Sequence, residues 1–367
     1  MAADGRPRVL IVDDTPENLH ILNGILKDDY VVLAAVNGEK ALALTGRDPP
    51  PDIVLLDVMM PGTDGYEVCR RLKADQRTSA IPVLFVTALA SEESEAKGLA
   101  LGAADYITKP FKPDLVKARV QNHLQLKMYR DHLEHLVQER TSELEATRDV
   151  AIETLGSISE FRDTDTGGHV RRTMRYIRIL AERLQRQPKY ADELDARVID
   201  SLSRSAALHD IGKVGIPDGI LHKPARLDPD EMAEMKEHTT KGWLALNYGT
   251  ERLGPDSFLH TAQEMALSHH ERWDGKGYPK GLKGEEIPLS GRLMAIADVY
   301  DALISHRVYK PSLCHATAVG MLYEGRGTAF DPEILDVFLE MQESFRLAAL
   351  EFADTDEERA NLQPITT

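Results

Sequence analysis

Short, continuous apolar runs punctuate the first third of the chain, and each stops at a polar residue. Arg8-Val9-Leu10-Ile11-Val12 ends in Asp13-Asp14, and Asp52-Ile53-Val54-Leu55-Leu56 ends in Asp57. Ile81-Pro82-Val83-Leu84-Phe85-Val86 ends in Thr87, and Ala104-Asp105-Tyr106-Ile107-Thr108 ends in Lys109-Pro110, while Val31-Val32-Leu33-Ala34 supplies a fifth run. Runs that are apolar on both faces and separated by amphipathic stretches predict a five-stranded parallel sheet with helices on either side. Further along, Leu126, Tyr129, Leu133, Leu136 and Val137 recur at helical spacing, and Leu144, Ala151, Leu155 and Ile158 continue the stripe less regularly. That stripe predicts one long helix leaving the first domain, with a dimerising coiled-coil seam near Arg140 or, alternatively, a face packed back on its own domains. From 152 onward the periodicity is helical with almost no alternation, so an all-α bundle is expected. The pattern divides the chain into 7–125, a helical linker 126–151, a second domain 152–345 and a tail 346–367.

In an open α/β sheet, ligands bind at the carboxyl ends of the strands. Asp13, Asp14 and Asp57 would meet there, with Thr87 and Lys109 opposite. Three carboxylates repel one another unless a hard cation sits among them, and Mg²⁺ suits such a site while leaving room for phosphate oxygens. One carboxylate can then act as a nucleophile toward a phosphoryl group.

The second domain carries a different chemistry. His209-Asp210 lies in Ala207-Leu208-His209-Asp210-Ile211-Gly212-Lys213, with His169 upstream and His238, His269-His270 and Asp298 downstream. Imidazoles and carboxylates together suit zinc, manganese or iron. Adjacent His and Asp can serve two neighbouring ions with the carboxylate bridging, and two ions about 3.5–4 Å apart are common machinery for phosphodiester hydrolysis. Facing helices of a bundle bring such distant residues together. Lys213, four residues after His209, would direct its ammonium at a substrate phosphate. Asp301, three after Asp298, is either a hydrogen-bond partner of a ligating histidine or a surface carboxylate.

Composition narrows the partners. The 367 residues carry a net charge of −16, which argues against non-specific binding to DNA or RNA. A small anionic substrate is still compatible, because bound cations invert the local field. Two cysteines, Cys69 and Cys314, give no disulfide framework. No stretch approaches about 18 consecutive apolar residues, so no membrane span is expected, and with a polar start at Met1–Arg8 the chain reads as cytoplasmic.

Two family resemblances follow from these motifs. The first domain resembles the receiver domain of two-component response regulators, which have a flavodoxin-like, doubly wound fold. The resemblance implies Asp57 as phosphoacceptor, Asp13 and Asp14 with Asp57 as Mg²⁺ site, Thr87, Tyr106 and Lys109 as switch residues, a cis Lys109-Pro110 bond and a cognate sensor histidine kinase. From about Ile152 to Phe338, the HDIGK run and His269-His270-Glu271-Arg272-Trp273-Asp274-Gly275-Lys276-Gly277-Tyr278-Pro279 resemble the HD-GYP cyclic di-GMP phosphodiesterases. That implies two divalent ions, iron or manganese. His169, His209, Asp210 and Asp298 would hold one, and Asp210, His238, His269 and His270 the other. It also implies Arg307 and Lys310 as contacts to guanine or phosphate, and hydrolysis to linear pGpG, with slow further cleavage to GMP. Asp165 stands where some members have a Glu that binds a third ion. Asp is shorter by one methylene, so two ions are expected. Gly277-Tyr278-Pro279 either shapes the substrate groove or presents a surface to partner proteins. A non-enzymatic cyclic di-GMP sensor or scaffold, and an HD-type hydrolase of another nucleotide, stay open as alternatives at this stage.

Overall fold

The computed structural model describes residues 5–88, 92–162, 168–306 and 312–363. Two compact units divide the chain between Ser142 and Glu143.

In the first unit the five apolar runs form strands β1 (Arg8–Val12), β2 (Val31–Ala35), β3 (Ile53–Asp57), β4 (Val83–Thr87) and β5 (Asp105–Thr108). They pair in parallel in the order β2-β1-β3-β4-β5, with Leu10 opposite both Leu33 and Val54. This is the flavodoxin-like order of a doubly wound sheet. Helices α1 (Pro16–Leu26), α2 (Gly38–Thr45), α3 (Gly65–Ala74) and α4 (Glu92–Ala100) connect the strands. One face of the sheet packs Leu10, Val54 and Leu56 with Val68 and Leu72 of α3. The other packs Ile11, Leu55 and Val86 with Leu22 of α1 and Val116 and Val120 of the last helix. Strands buried on both sides explain why the runs are apolar without alternation.

That last helix, α5 (Pro113–Phe161), is one continuous element of 49 residues, as the stripe predicts. The linker therefore has no boundary of its own at 126 or at 151. Leu126, Tyr129, Leu133 and Val137 are each at least 58% exposed, so among the described residues the stripe has no apolar cover.

The second unit is helical: α6 (Gly168–Leu184), α7 (Ala196–Ala206), α8 (Asp218–Leu221), α9 (Pro229–Lys236), α10 (His238–Leu253), α11 (Phe258–Ser268), α12 (Leu289–Ile304), α13 (His315–Glu324), α14 (Pro332–Glu351) and α15 (Asp356–Asn361). Its core is built where α6 offers Tyr176, Ile177, Leu180 and Leu184 to Tyr300 of α12 and Phe338 and Phe345 of α14. The ring planes of Tyr176 and Phe345 stack at 4.5 Å.

The division at 346 is corrected by the structure. Residue 346 lies inside α14, and Phe345, Ala348, Ala349, Ala353 and Leu362 are all buried in this core. The acidic run Asp354-Thr355-Asp356-Glu357-Glu358 looks like a solvated tail, yet Thr355 and Glu358 form a capping box that starts α15. Glu358 is 3% exposed and accepts hydrogen bonds from the backbone amides of His306 and Asp354, both at 2.8 Å. Among the described residues, no helix is long and apolar enough to cross a membrane.

Candidate metal centre

The second unit places seven sequence-predicted residues at one site. His169 stands in the first turn of α6. His209 and Asp210 follow the end of α7, at the start of a 3-10 turn over Ile211–Gly215. His238 begins α10, His269 and His270 follow the end of α11, and Asp298 lies in α12. Gly212 makes the close approach possible, because a Cβ there would collide with the backbone carbonyl of His238.

Ligand atoms fall into two sets, each within 4.8 Å of one another: Asp210, His238, His269 and His270, and His169, His209 and Asp298. Asp210 reaches both. Its Oδ1 is 3.4 Å from His238 Nε2 and 3.5 Å from His269 Nε2, and its Oδ2 is 3.2 Å from His209 Nε2.

Four of the histidines have their other nitrogen engaged. Nδ1 of His209 meets the Ala206 carbonyl at 2.8 Å, that of His238 the Met235 carbonyl at 2.8 Å, and that of His269 the Met265 and Ala266 carbonyls at 3.1 Å. His169 Nδ1 meets Asp301 Oδ2 at 2.8 Å. A carbonyl can only accept, so in His209, His238 and His269 Nδ1 carries a proton and Nε2 is directed at the site. Burial pulls His238 down to about 4 and, with the charge of His269, holds His270 well below the ordinary histidine range. Both are therefore neutral near pH 7, the form that binds metal. His169 differs. Burial lowers it, but the hydrogen bond and charge of Asp301, with Glu160 and Asp298 behind, raise it to about 9.

Two atoms of this set, His209 Nε2 and Asp210 Oδ1, are buried with no hydrogen-bond partner among the described residues. Unpaired buried polar atoms are costly. Imidazole lone pairs beside carboxylates held in the charged form are what a divalent cation satisfies, so the residues present fit two metal ions. Asp210 is held well below the usual carboxylate range: burial opposes this, and Lys213 and His209 outweigh it. Lys213 Nζ lies 2.8 Å from Asp210 Oδ2, which sets its ammonium against the shared carboxylate.

Several residues that sequence reasoning left without a role frame the site. Arg172, 2% exposed, grips Asp301 in a fork with Nε–Oδ1 at 2.7 Å and Nη2–Oδ2 at 3.0 Å. It also donates to Ser305 Oγ, the Phe352 carbonyl and Asp354 Oδ2, each at 2.9 Å. Asp301 thus holds His169 while Arg172 holds Asp301. The available signal was spacing, since Arg172 lies three residues after His169 on the same helix face. Glu271, 3% exposed, accepts from the successive amides of Lys280, Gly281 and Leu282 at 2.8–3.1 Å. It folds the Gly-rich segment back so that Tyr278, preceding the cis Pro279, stacks on His270 at 4.8 Å. Tyr278 therefore walls the metal centre. Glu271→Ala strands three amides and should release that wall. We expect hydrolysis to fall at least about tenfold, equivalent to ~1.4 kcal/mol, with metal content retained. A rate within twofold of wild type would show that the loop is held by other means. Asp165, Arg307 and Lys310 lie outside the described residues.

In the first unit, Asp13, Asp14 and Asp57 also lie with ligand atoms within 4.8 Å of one another. Lys109 Nζ bridges Asp13 Oδ2 at 2.8 Å and Asp57 Oδ2 at 2.9 Å. Burial raises Asp57 despite Lys109. Burial would also raise Asp13, but hydrogen bonds from Lys109, Asn18 and the Thr15 amide hold it below its ordinary value. Thr87 ends β4, Tyr106 lies in β5, and the Lys109-Pro110 bond is cis. The acidic trio suits a hard divalent cation.

The family model for the response regulator receiver domain matches residues 9–121, and that for the HD domain matches residues 127–334. A probable cyclic di-GMP phosphodiesterase of Vibrio cholerae is 44% identical over 363 residues, covering 97% of this chain and 82% of its own. The chain belongs to the HD-GYP response regulators. A cyclic di-GMP phosphodiesterase of Thermotoga maritima is 35% identical, covering 91% of this chain and 90% of its own. The cyclic di-GMP phosphodiesterase response regulator RpfG of Xanthomonas campestris is also 35% identical, covering 92% and 88%. Membership in the HD-GYP response regulators accounts for both acidic clusters at once: a receiver with its Asp trio and a metal-dependent hydrolase with its His/Asp centre.

Proposed function

We propose that this chain hydrolyses the 3′–5′ phosphodiester bonds of cyclic di-GMP to linear pGpG, and more slowly to GMP, under control of phosphorylation at Asp57. The observation that carries the reading is Asp210, whose two oxygens reach separate sets of metal-ligating atoms. Bound there, two iron or manganese ions would activate water and offset charge on the phosphoryl oxygens. Asp210, His238, His269 and His270 would hold one ion, and Asp210, His169, His209 and Asp298 the other. His209 and Asp210 orient the scissile phosphate relative to that pair. Lys213 lies one turn from His209 and lends its ammonium to the phosphate, while Tyr278 closes one wall and excludes water from that side. Arg307 and Lys310 are assigned to the guanine or the second phosphate, because a guanidinium fork pairs with either. The segment around Tyr278 also offers a docking edge for partner proteins.

On the receiver side, Mg²⁺ would sit with Asp13, Asp14 and Asp57, and a sensor histidine kinase would supply the phosphoryl group. Phosphorylation adds a dianion beside Lys109, and Thr87 and Lys109 stabilise it by moving toward it. The exposed stripe from Leu126 to Val137 supports a homodimer through α5. Its phosphorylation-dependent contacts would carry the signal along the helix.

The test is hydrolysis of cyclic di-GMP and sedimentation of wild type and Asp57→Asn, each with and without acetyl phosphate and Mg²⁺. We expect hydrolysis in wild type, and a phosphodonor effect of at least about threefold on rate or dimerisation that Asp57→Asn lacks, a coupling of ~0.65 kcal/mol. No hydrolysis by the metal-loaded protein would refute the substrate. Identical behaviour in all four conditions, with phosphorylation verified by mass, would refute the control.

A further inference from the structure

The last turn of α5 brings a carboxylate to the metal centre that the ligand sets above do not include. Glu160 is 6% exposed, and among the described residues neither of its carboxyl oxygens has a hydrogen-bond partner. Its Oε1 lies 3.7 Å from His169 Nε2. His169, His209, Asp210 and Asp301 are the charges that act on it. A buried carboxylate without a donor is costly, and the remedies are protonation, a positive partner or a coordinated cation. Two donor atoms each about 2.1 Å from one ion sit roughly 3–4 Å apart. The spacing of Glu160 Oε1 and His169 Nε2 falls inside that range.

The helix is fixed at this position by contacts spaced one turn apart along the same face. Ile152 packs with Ala207 and Leu208. Gly156 abuts the Ala207 carbonyl so closely that a Cβ would collide with it. Ser159 Oγ donates to the Asp210 carbonyl at 2.8 Å. Residues 152, 156 and 159/160 thus form a stripe that presses on the turn carrying His209 and Asp210. Glu160 is the end of that stripe.

We propose that Glu160 is a further ligand of the ion held by His169, His209 and Asp298, so that the helix arriving from the receiver terminates as part of the metal centre. This rests on the metal-centre reading of the site. Its test reads metal binding directly. Full-length wild type, Glu160→Gln, Glu160→Asp and Glu160→Ala are stripped with chelator and titrated with Mn²⁺. Bound metal is counted by mass spectrometry, the Mn²⁺ electron paramagnetic resonance spectrum is recorded, and folding is followed by circular dichroism.

Wild type is expected to take two ions. Glu160→Gln, which keeps the shape and loses the charge, should bind one of the two at least about tenfold more weakly, leave the other unchanged and alter the spectrum. Glu160→Asp keeps the charge on a shorter arm and should fall between. Wild-type affinity for both ions in Glu160→Gln overturns the proposal, and so does a loss seen in Glu160→Ala but not in Glu160→Gln, which would mark a packing role alone. Should Glu160→Gln fail to fold, Glu160→Asp decides, and two wild-type affinities there overturn the proposal. If wild type itself takes up no Mn²⁺, the metal-centre reading fails and takes this proposal with it.

Discussion

Asp210→Ala is expected to abolish hydrolysis, with a rate loss of at least about a thousandfold, or ~4 kcal/mol of transition-state stabilisation. Asp210 is the side chain whose oxygens reach both ligand sets, so its removal weakens both ions rather than one. The loss is compounded by Lys213. Its ammonium sits 2.8 Å from Asp210 Oδ2, and loss of that carboxylate removes a negative charge that offsets it beside the incoming cations. Asp210→Asn keeps the volume and one oxygen, so it should retain part of the metal while losing most of the rate. His209→Ala combined with Asp210→Ala should be no worse than Asp210→Ala, since residues acting as a unit are not additive. The measurement is metal content beside initial hydrolysis rate, with His260→Ala, a half-exposed histidine away from the cluster, as control. Full activity in a metal-depleted Asp210→Ala protein would sink the two-ion mechanism.

Arg172→Ala should produce the largest loss of stability from a single substitution. The guanidinium is 2% exposed and its fork on Asp301 lies in the interior of the second unit. Removing one member of a buried ion pair leaves the other charge uncompensated, at a cost of about 3–5 kcal/mol. Among the described residues Asp301 would then keep only His169 as a cationic neighbour, and the Phe352 carbonyl and Asp354 would lose their shared donor. Arg172→Lys restores the charge but not the planar fork, so it should recover only part of the loss. Because Asp301 orients His169, metal affinity should also fall about 10–100-fold in Arg172→Ala. Denaturant unfolding of the chelated protein isolates the structural part, and Mn²⁺ titration of folded protein reads the positioning part. A stability within 1 kcal/mol of wild type would rule out this account.

The sequence made the sheet legible because a doubly covered strand must be apolar where it is covered, and Val9–Val12, Ile53–Leu56 and Val83–Val86 are. The metal ligands were legible because few chemistries call for His-Asp, His-His and a distant Asp in one bundle. The framing residues were not. Glu160 ends a mostly exposed helix, and a Glu in such a helix ordinarily belongs to the solvated face. Arg172 follows another arginine, and nothing in the string says that Arg171 is exposed while Arg172 is buried. The acidic stretch near the C-terminus misled for a related reason. Charge composition reports what a run could do in water. Glu358 instead spends its charge on backbone amides, a use that depends on where the chain turns back.

The stripe of Ile152, Gly156 and Ser159 determines where this architecture can be divided and rejoined. A transplantable hydrolase must begin upstream of Ile152 and run through Leu362, because both ends bury side chains in the unit that holds the metal ligands. The same helix is exposed throughout 132–147, so a junction placed there breaks no buried contact. A junction after Glu160 would discard part of the wall beside His209 and Asp210 even though every motif residue remained. Recombination that supplies such an enzyme with a new input domain should therefore leave its scars in the exposed middle of the helix, and the final turns should travel with the hydrolase.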